Sequence, residues 1–210
     1  MLRETVVVGA FQCNCTILAC ENTKEAVIID AGDEAHKIME IIKHYDLKVK
    51  YLLHTHAHLD HIMATREIKE QTGAEILLHK ADNDIYNNLI SQAAMFGFNV
   101  KQPLKVDKFI NHDEEIKAGD NLLTKVIHTP GHSPGSVCYH FEKENPFLFS
   151  GDTLFSRSIG RTDLWGASYP QIISSIKEKL FSLPEETIIY PGHGEKTTVW
   201  DEKKKNPFFN

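Results

Sequence analysis

His56-Ala57-His58-Leu59-Asp60-His61 sets three imidazoles and a carboxylate within six residues. A helix turns about 100° per residue, so His56 and His58 would face nearly opposite sides of one. In an extended segment alternate side chains share a side, and both imidazoles reach one ion. The preceding run, Val49-Lys50-Tyr51-Leu52-Leu53, reads as a strand, and Ile62 to Gln71 reads as a helix closed by Gly73. The hexad therefore falls on a strand-to-helix loop, with Asp60 and His61 near the helix start. Loops at the ends of strands on a rigid sheet are where metal-binding and catalytic groups collect.

Three later strand ends repeat this logic. His128-Thr129-Pro130-Gly131-His132 follows a strand ending at Ile127, Ser150-Gly151-Asp152-Thr153 follows Phe147-Leu148-Phe149, and Pro191-Gly192-His193-Gly194 follows Ile188-Ile189-Tyr190. Glycine lets each loop bend sharply and approach a ligand closely. Together the four loops offer His56, His58, His61, His132 and His193 with Asp60 and Asp152. One zinc takes about four ligands, so seven suit two divalent ions. Two such ions about 3.5–4 Å apart share a carboxylate and a hydroxide, and binding lowers the pKa of water from 15.7 toward about 7. Five imidazoles favour zinc, while two carboxylates leave iron and manganese open.

The rest of the chain is ordinary for a globular protein: 210 residues, 41% hydrophobic, 25% charged. A net charge of -6 argues against a nucleic-acid partner. No apolar run is long enough to cross a bilayer, and Gln12 and Asn14 interrupt the apolar patch Val6-Val7-Val8 too soon for a secretory signal. A cytoplasmic location is expected. Cys13, Cys15, Cys20 and Cys138 do not form a disulfide framework, and packing is their expected role. Residues 5 to 20 read as two strands with a bend at Gly9, and Ala26 to Asp30 as a buried strand. Asp33 or Gly32 is expected to open a helix over Glu34 to Tyr45. Asp82 to about Phe96 reads as a further helix, placed either as a flap over a cleft or in the core. Leu122–Ile127, Ser136–Phe141 and Phe147–Ser150 read as strands, Tyr169–Phe181 as an amphipathic helix, and Thr187–Tyr190 as a last strand. Strands and helices alternate without a clean break, which predicts one layered α/β domain over residues 1–210. The tail from Asp201 is basic and then aromatic, and is expected to be solvated.

His-x-His-x-Asp-His, followed in order by Thr-Pro-Gly-His, Gly-Asp and Pro-Gly-His loops, resembles the metallo-β-lactamase superfamily from Ala26 to Gly194. Gly151-Asp152-Thr153-Leu154-Phe155, Gly160-Arg161-Thr162-Asp163 and Tyr190-Pro191-Gly192-His193-Gly194 look like its glyoxalase II-like branch, and Asn206-Pro207-Phe208 fits the short-chain bacterial members. The resemblance implies a four-layer αββα sandwich with two metals at one edge. His56, His58 and His132 would hold the first metal, Asp60, His61 and His193 the second, and Asp152 would bridge them. Asp60 would also orient the hydroxide and receive its proton. Arg161 stands where glyoxalase II enzymes place a substrate-contacting lysine; a surface ion pair is the competing reading. Full-length glyoxalase II enzymes complete the glutathione site with a C-terminal helical domain, which this sequence lacks; Lys203 and Lys205 resemble basic residues of that segment at a different spacing. The implied activity is hydrolysis of a small thioester, such as an S-2-hydroxyacyl thiol, with no nucleic acid, no membrane and no stated oligomeric state. Asp152, where zinc β-lactamases often carry cysteine, weighs against antibiotic hydrolysis. The runner-up is a mononuclear iron persulfide dioxygenase; a lactonase or phosphodiesterase stands behind it. Outside the ligand register, His54 is expected to pack or hydrogen-bond, His128 to pack at its strand end, with support of the ligand loop as the competing reading, and Asp30 to hold a ligand imidazole.

Overall fold

Val27-Ile28-Ile29, Leu52-Leu53 and Ile76-Leu77-Leu78 are continuous apolar runs rather than alternating ones, as strands buried on both faces require. The computed structural model, which describes residues 1–142 and 145–209, shows why. Its first sheet orders β1 (Leu2–Val8), β2 (Cys13–Ala19), β3 (Glu25–Ile29), β4 (Lys48–Leu53), β5 (Glu75–His79) and β6 (Lys108–Ile110). β1 to β3 are antiparallel and β3 to β6 parallel. The second sheet holds β7 (Glu115–Ala118), β8 (Leu122–His128), β9 (Val137–Phe141), β10 (Phe147–Gly151), β13 (Ile188–Pro191) and β14 (Thr197–Thr198), in that spatial order. A small hairpin of β11 (Leu154–Phe155) and β12 (Ser158–Ile159) follows β10 in sequence.

Each strand divides its side chains between two cores. Ile28, Leu52, Ile76 and Leu78 face the helices α1 (Ala35–His44) and α3 (Thr65–Thr72), with Ile38, Ile42 and Ile68 opposite. Val27, Ile29, Leu53 and Leu77 meet Val126, Tyr139, Phe141 and Phe149 between the sheets. Cys138, Leu148 and Ile189 face Ile172, Ile176 and Val199 of the outer helices α6 (Tyr169–Ser175) and α7 (Val199–Lys205) and the π-turn joined to α6. The four layers are those the resemblance implied, helix, sheet, sheet and helix, with a core in each gap.

Several boundaries differ from expectation. The helix after the hexad begins earlier and breaks: α2 (Leu59–Ile62) starts inside the hexad because His58 stays extended, and α3 then runs to Gly73 at φ 74°. The helix expected from Asp82 to Phe96 is a 3-10 turn, α4 (Asn83–Asn87) and α5 (Leu89–Met95). Asn88 ends α4 by donating its side-chain amide to the Asp84 carbonyl. Helix α1 opens on Glu34 in the left-handed region, while Asp33 accepts the Glu34 N–H. Tyr169–Phe181 is α6 followed by a π-turn, Ile176–Leu180. The basic tail keeps Lys204 and Lys205 exposed, as expected, but is anchored along one side. It forms α7, capped by Thr198, because buried Glu202 accepts from the Thr197 hydroxyl at 2.6 Å and the Arg157 N–H at 2.9 Å. Lys205 pairs with Asp201 and Lys203 with Glu185.

Candidate metal centre

Topology brings the four loops to one edge. β3 and β4 run parallel, so Asp30 and the hexad leave the first sheet together. In the second sheet β8 and β10 are both antiparallel to β9, and β13 is parallel to β10; the three strands therefore end on the same side. The two edges are stitched by backbone. Val137 donates its N–H to the Thr55 carbonyl at 2.8 Å, and Asn14 donates from its N–H to the Gly192 carbonyl at 2.7 Å. The Asn14 side chain adds bonds to the carbonyls of Pro191 and Gly194, both at 3.0 Å. Gly192 must be glycine, since a Cβ there would land on Asp152 Oδ1 and 2.7 Å from His61 Cε1.

All seven residues anticipated from the sequence converge. His58 Nδ1 lies 2.8 Å from His132 Nε2, and His56 completes that trio. His193 Nε2 lies 3.2 Å from both His61 Nε2 and Asp60 Oδ2. Asp152 stands between: Oδ1 is 3.4 Å from His61 Nε2, and Oδ2 is 3.6 Å from His132 Nε2.

Hydrogen bonds behind the imidazoles fix their tautomers. His132 Nδ1 donates to the Arg161 carbonyl at 2.9 Å, His193 Nδ1 to the Gln12 carbonyl at 3.2 Å, and His61 Nδ1 to Asp30 at 3.0 Å. The Thr55 hydroxyl donates to Asp30 at 2.7 Å, which leaves it to accept from His56 Nδ1 at 3.1 Å. Four Nε2 lone pairs are thereby aimed inward. The Nε2 atoms of His61 and His193 face each other at 3.2 Å, and His56 Nε2 and Asp152 Oδ1 are buried without a hydrogen-bond partner. Lone pairs and a carboxylate converging in this way can hold a cation, and the donor set fits a pair of divalent metals.

The electrostatics agree. Burial and the surrounding imidazoles push His56 well below the usual histidine range, and burial with His132 pushes His58 down to about 3. Burial would raise Asp152, but His61, His132 and His193 outweigh it and hold the carboxyl low. Burial opposes charge on His61 and His193 too; the acidic groups around each, Asp60 and Asp152 in both cases, outweigh it and raise them. The cluster thus draws positive charge to its centre.

The secondary expectations divide. Asp30 holds His61 as anticipated, and does so at φ 55° with both oxygens bonded to Thr55. His54 stays outside the cluster, its Nε2 3.1 Å from the Thr65 hydroxyl. His128 donates from Nε2 to the Pro134 carbonyl in the His132 loop. All four cysteines are buried, Cys13 against His61 Nδ1 at 3.6 Å. Arg161 forms the surface pair, bidentate with Asp163 at 3.0 and 2.9 Å, while standing at the mouth of the cleft. Two supports escaped the sequence reading. Fully buried Asp82 accepts from the Ala57 N–H, the Ser133 hydroxyl and the Gly135 N–H, clamping the hexad to the His132 loop. Gln92 accepts from the Leu59 N–H and donates to the Ala57 carbonyl. Only a helix-start position marked Asp82 in the sequence, and nothing marked Gln92.

A cleft of about 620 Å³ opens over the cluster, with His58, Asp60, His132, Asp152 and His193 in its lining. The metallo-beta-lactamase superfamily model matches residues 8–193. The chain is 39% identical over 208 residues to hydroxyacylglutathione hydrolase GloC of Haemophilus influenzae, covering 99% of this chain and 97% of that one. Among solved structures it is similar to BLEG-1 B3 metallo-beta-lactamase, with a TM-score of 0.91, 36% identity and 99% of each chain covered. TTHA1623 in a di-iron-bound form gives a TM-score of 0.88 at 34% identity, over 98% of this chain and 99% of that one. With the fold, the ordered loops and the full-length similarity in agreement, this chain belongs to the metallo-β-lactamase superfamily.

Proposed function

We propose that the protein is a dinuclear metal hydrolase that cleaves a small thioester to acid and thiol. The observation that carries this reading is Asp152, whose two oxygens face two separate imidazole sets. His56, His58 and His132 would hold one metal, Asp60, His61 and His193 the other, with Asp152 between. Zinc suits five imidazoles best, and iron or manganese is compatible with the carboxylates. A bound pair of divalent ions supplies acidified water at neutral pH and a Lewis acid for the carbonyl. The chain's own residues do the rest. Asp60 Oδ2 lies 3.2 Å from His193 Nε2 and faces the cleft, in position to take a proton from the attacking water. Asp30, Thr55 and the carbonyls of Gln12 and Arg161 keep the imidazoles oriented, which removes reorganisation from the barrier. Arg161 lines the same cleft with its guanidinium paired to Asp163, so the substrate contact the resemblance implies for it would require opening that pair.

The similarity to hydroxyacylglutathione hydrolase GloC supports a thioester as the substrate class. Net charge -6 supports a small molecule rather than nucleic acid, and among the described residues no helix is long and apolar enough to cross a membrane. We place the protein in the cytoplasm on that reading. The test is metal content beside turnover. Reconstituted protein should bind two equivalents of divalent metal and hydrolyse S-lactoylglutathione or a related thioester, and His58→Ala or Asp60→Ala should abolish that turnover. One equivalent of iron with oxygen uptake on glutathione persulfide would replace this reading with the dioxygenase.

A further inference from the structure

The floor of the cleft is polar, and much of its wall is not. Phe11 comes from the turn between β1 and β2, Met95 and Phe96 from the end of α5, and Leu164 and Trp165 from the loop after β12. Met95 is 82% exposed, Phe96 54% and Trp165 67%. Large apolar side chains grouped at an open site mark a surface that meets an apolar partner. Phe11 and Phe96 already pack edge to face, with ring centroids 5.2 Å apart, so that part of the wall is shaped before anything binds. Positive charge is scarce by comparison. Arg161 is the cation lining the cleft, and Asp163 neutralises it through two hydrogen bonds. A glutathione moiety carries two carboxylates and would find no unpaired cation among the described residues of this wall.

Building on the thioesterase reading, we propose that the natural substrate carries an apolar group of several carbons or an aromatic ring beside the reacting carbonyl. That group, on the acyl or the thiol side, seats against Phe11, Phe96 and Trp165, and these residues set specificity in place of Arg161. Filling or vacating an apolar subsite by a few carbons is worth about tenfold or more in kcat/KM.

Three thioesters separate the two sides: S-lactoylglutathione, the 4-phenylbutyryl thioester of glutathione, and the lactoyl thioester of benzyl mercaptan. One of the last two should exceed S-lactoylglutathione about tenfold in kcat/KM, and Trp165→Ala should remove the advantage through KM. Preference for S-lactoylglutathione, or equal losses on all three in Trp165→Ala, overturns the proposal. A second readout needs neither metal nor turnover. Trp165 and Trp200 are the two tryptophans, and Trp200 lies on α7 outside the cleft lining. In metal-free Trp200→Phe protein, 4-phenylbutyrate or benzyl methyl sulfide should shift Trp165 emission to the blue with saturation, and lactate should not. Phe96→Ala should weaken that response several-fold. Absence of saturable binding by either probe overturns the apolar subsite even where thioesters are hydrolysed. An intact emission response with no thioester turned over sinks the thioester reading alone and upholds the subsite.

Discussion

The two sheets supply the candidate centre in unlike ways. The first delivers His56, His58, Asp60 and His61 from one continuous stretch after β4 that runs into α2, so chain connectivity fixes their spacing. The second delivers His132, Asp152 and His193 one at a time, from loops after β8, β10 and β13. Their separation depends on sheet register, including the irregularity between Phe149 and Gly151 where β10 meets β13. A local cluster tolerates small shifts of the fold, whereas a dispersed one needs clamps. The structure supplies them in Asp82 and Asn14, whose bonds reach the His132 and His193 loops from first-sheet elements. The second half of the site is thus more tightly coupled to folding.

The largest effect should come from the residue that serves both halves. Asp152→Ala removes the carboxylate shared by the two trios, and metal analysis should show both equivalents weakened. Turnover should fall at least about 10³-fold, about 4 kcal/mol of transition-state stabilisation. If Asp152→Ala keeps two tightly held metals, the bridging role is wrong. Asp82→Ala sharpens the comparison next. It strips the partner from two backbone N–H groups and one hydroxyl in a fully buried position, and should cost about 3 kcal/mol of stability in urea denaturation. Asp82→Asn should recover only part, because one carboxamide oxygen replaces two acceptors. By contrast Asp30→Asn acts on the first half alone, through His61 and Thr55. Its expected signature is a roughly 10–100-fold loss in metal affinity read by chelator competition, directly at the equivalent held by His61 and through Thr55 at the one held by His56. Unchanged affinity for both equivalents would mean that Asp30 does not hold the first-sheet imidazoles in place.

The same contrast explains what was legible in the sequence. The hexad announces itself because its ligands are neighbours, and the later loops because glycine accompanies each ligand at a strand end. The central strands were visible because burial on both faces leaves unbroken apolar runs. β6, β7 and β14 were missed: Lys108-Phe109-Ile110 and its like are too short to carry a period and exist through pairing with distant strands. Asp82 was read as a helix start because its partners Ser133 and Gly135 lie 51 and 53 residues away. The tail read as solvated because its lysines dominate the composition, while Glu202 and Asn206, which anchor it, become buried only once the β11–β12 turn is in place.

The smallest predicted effect lies at the seam between the halves. His79 closes β5 of the first sheet and His128 closes β8 of the second, and their rings stack with centroids 4.0 Å apart. Burial and the neighbouring His128 push His79 down to about 4, and burial also lowers His128. The folded values lie below the unfolded value of about 6.5, so above that pH neither state binds a proton and the pair contributes nothing. As pH falls from there toward about 4, the unfolded chain takes up protons the native pair refuses, and stability drops. Metal-free protein should therefore lose urea resistance across this window. His128→Phe keeps a ring on His79 while removing one titrating group and the charge facing the other, so its stability should fall less steeply over the same range. Parallel slopes for the two proteins would mean that the seam is not where acid acts, and that the buried imidazoles at the metal edge, His54, His56 and His58, carry the loss instead.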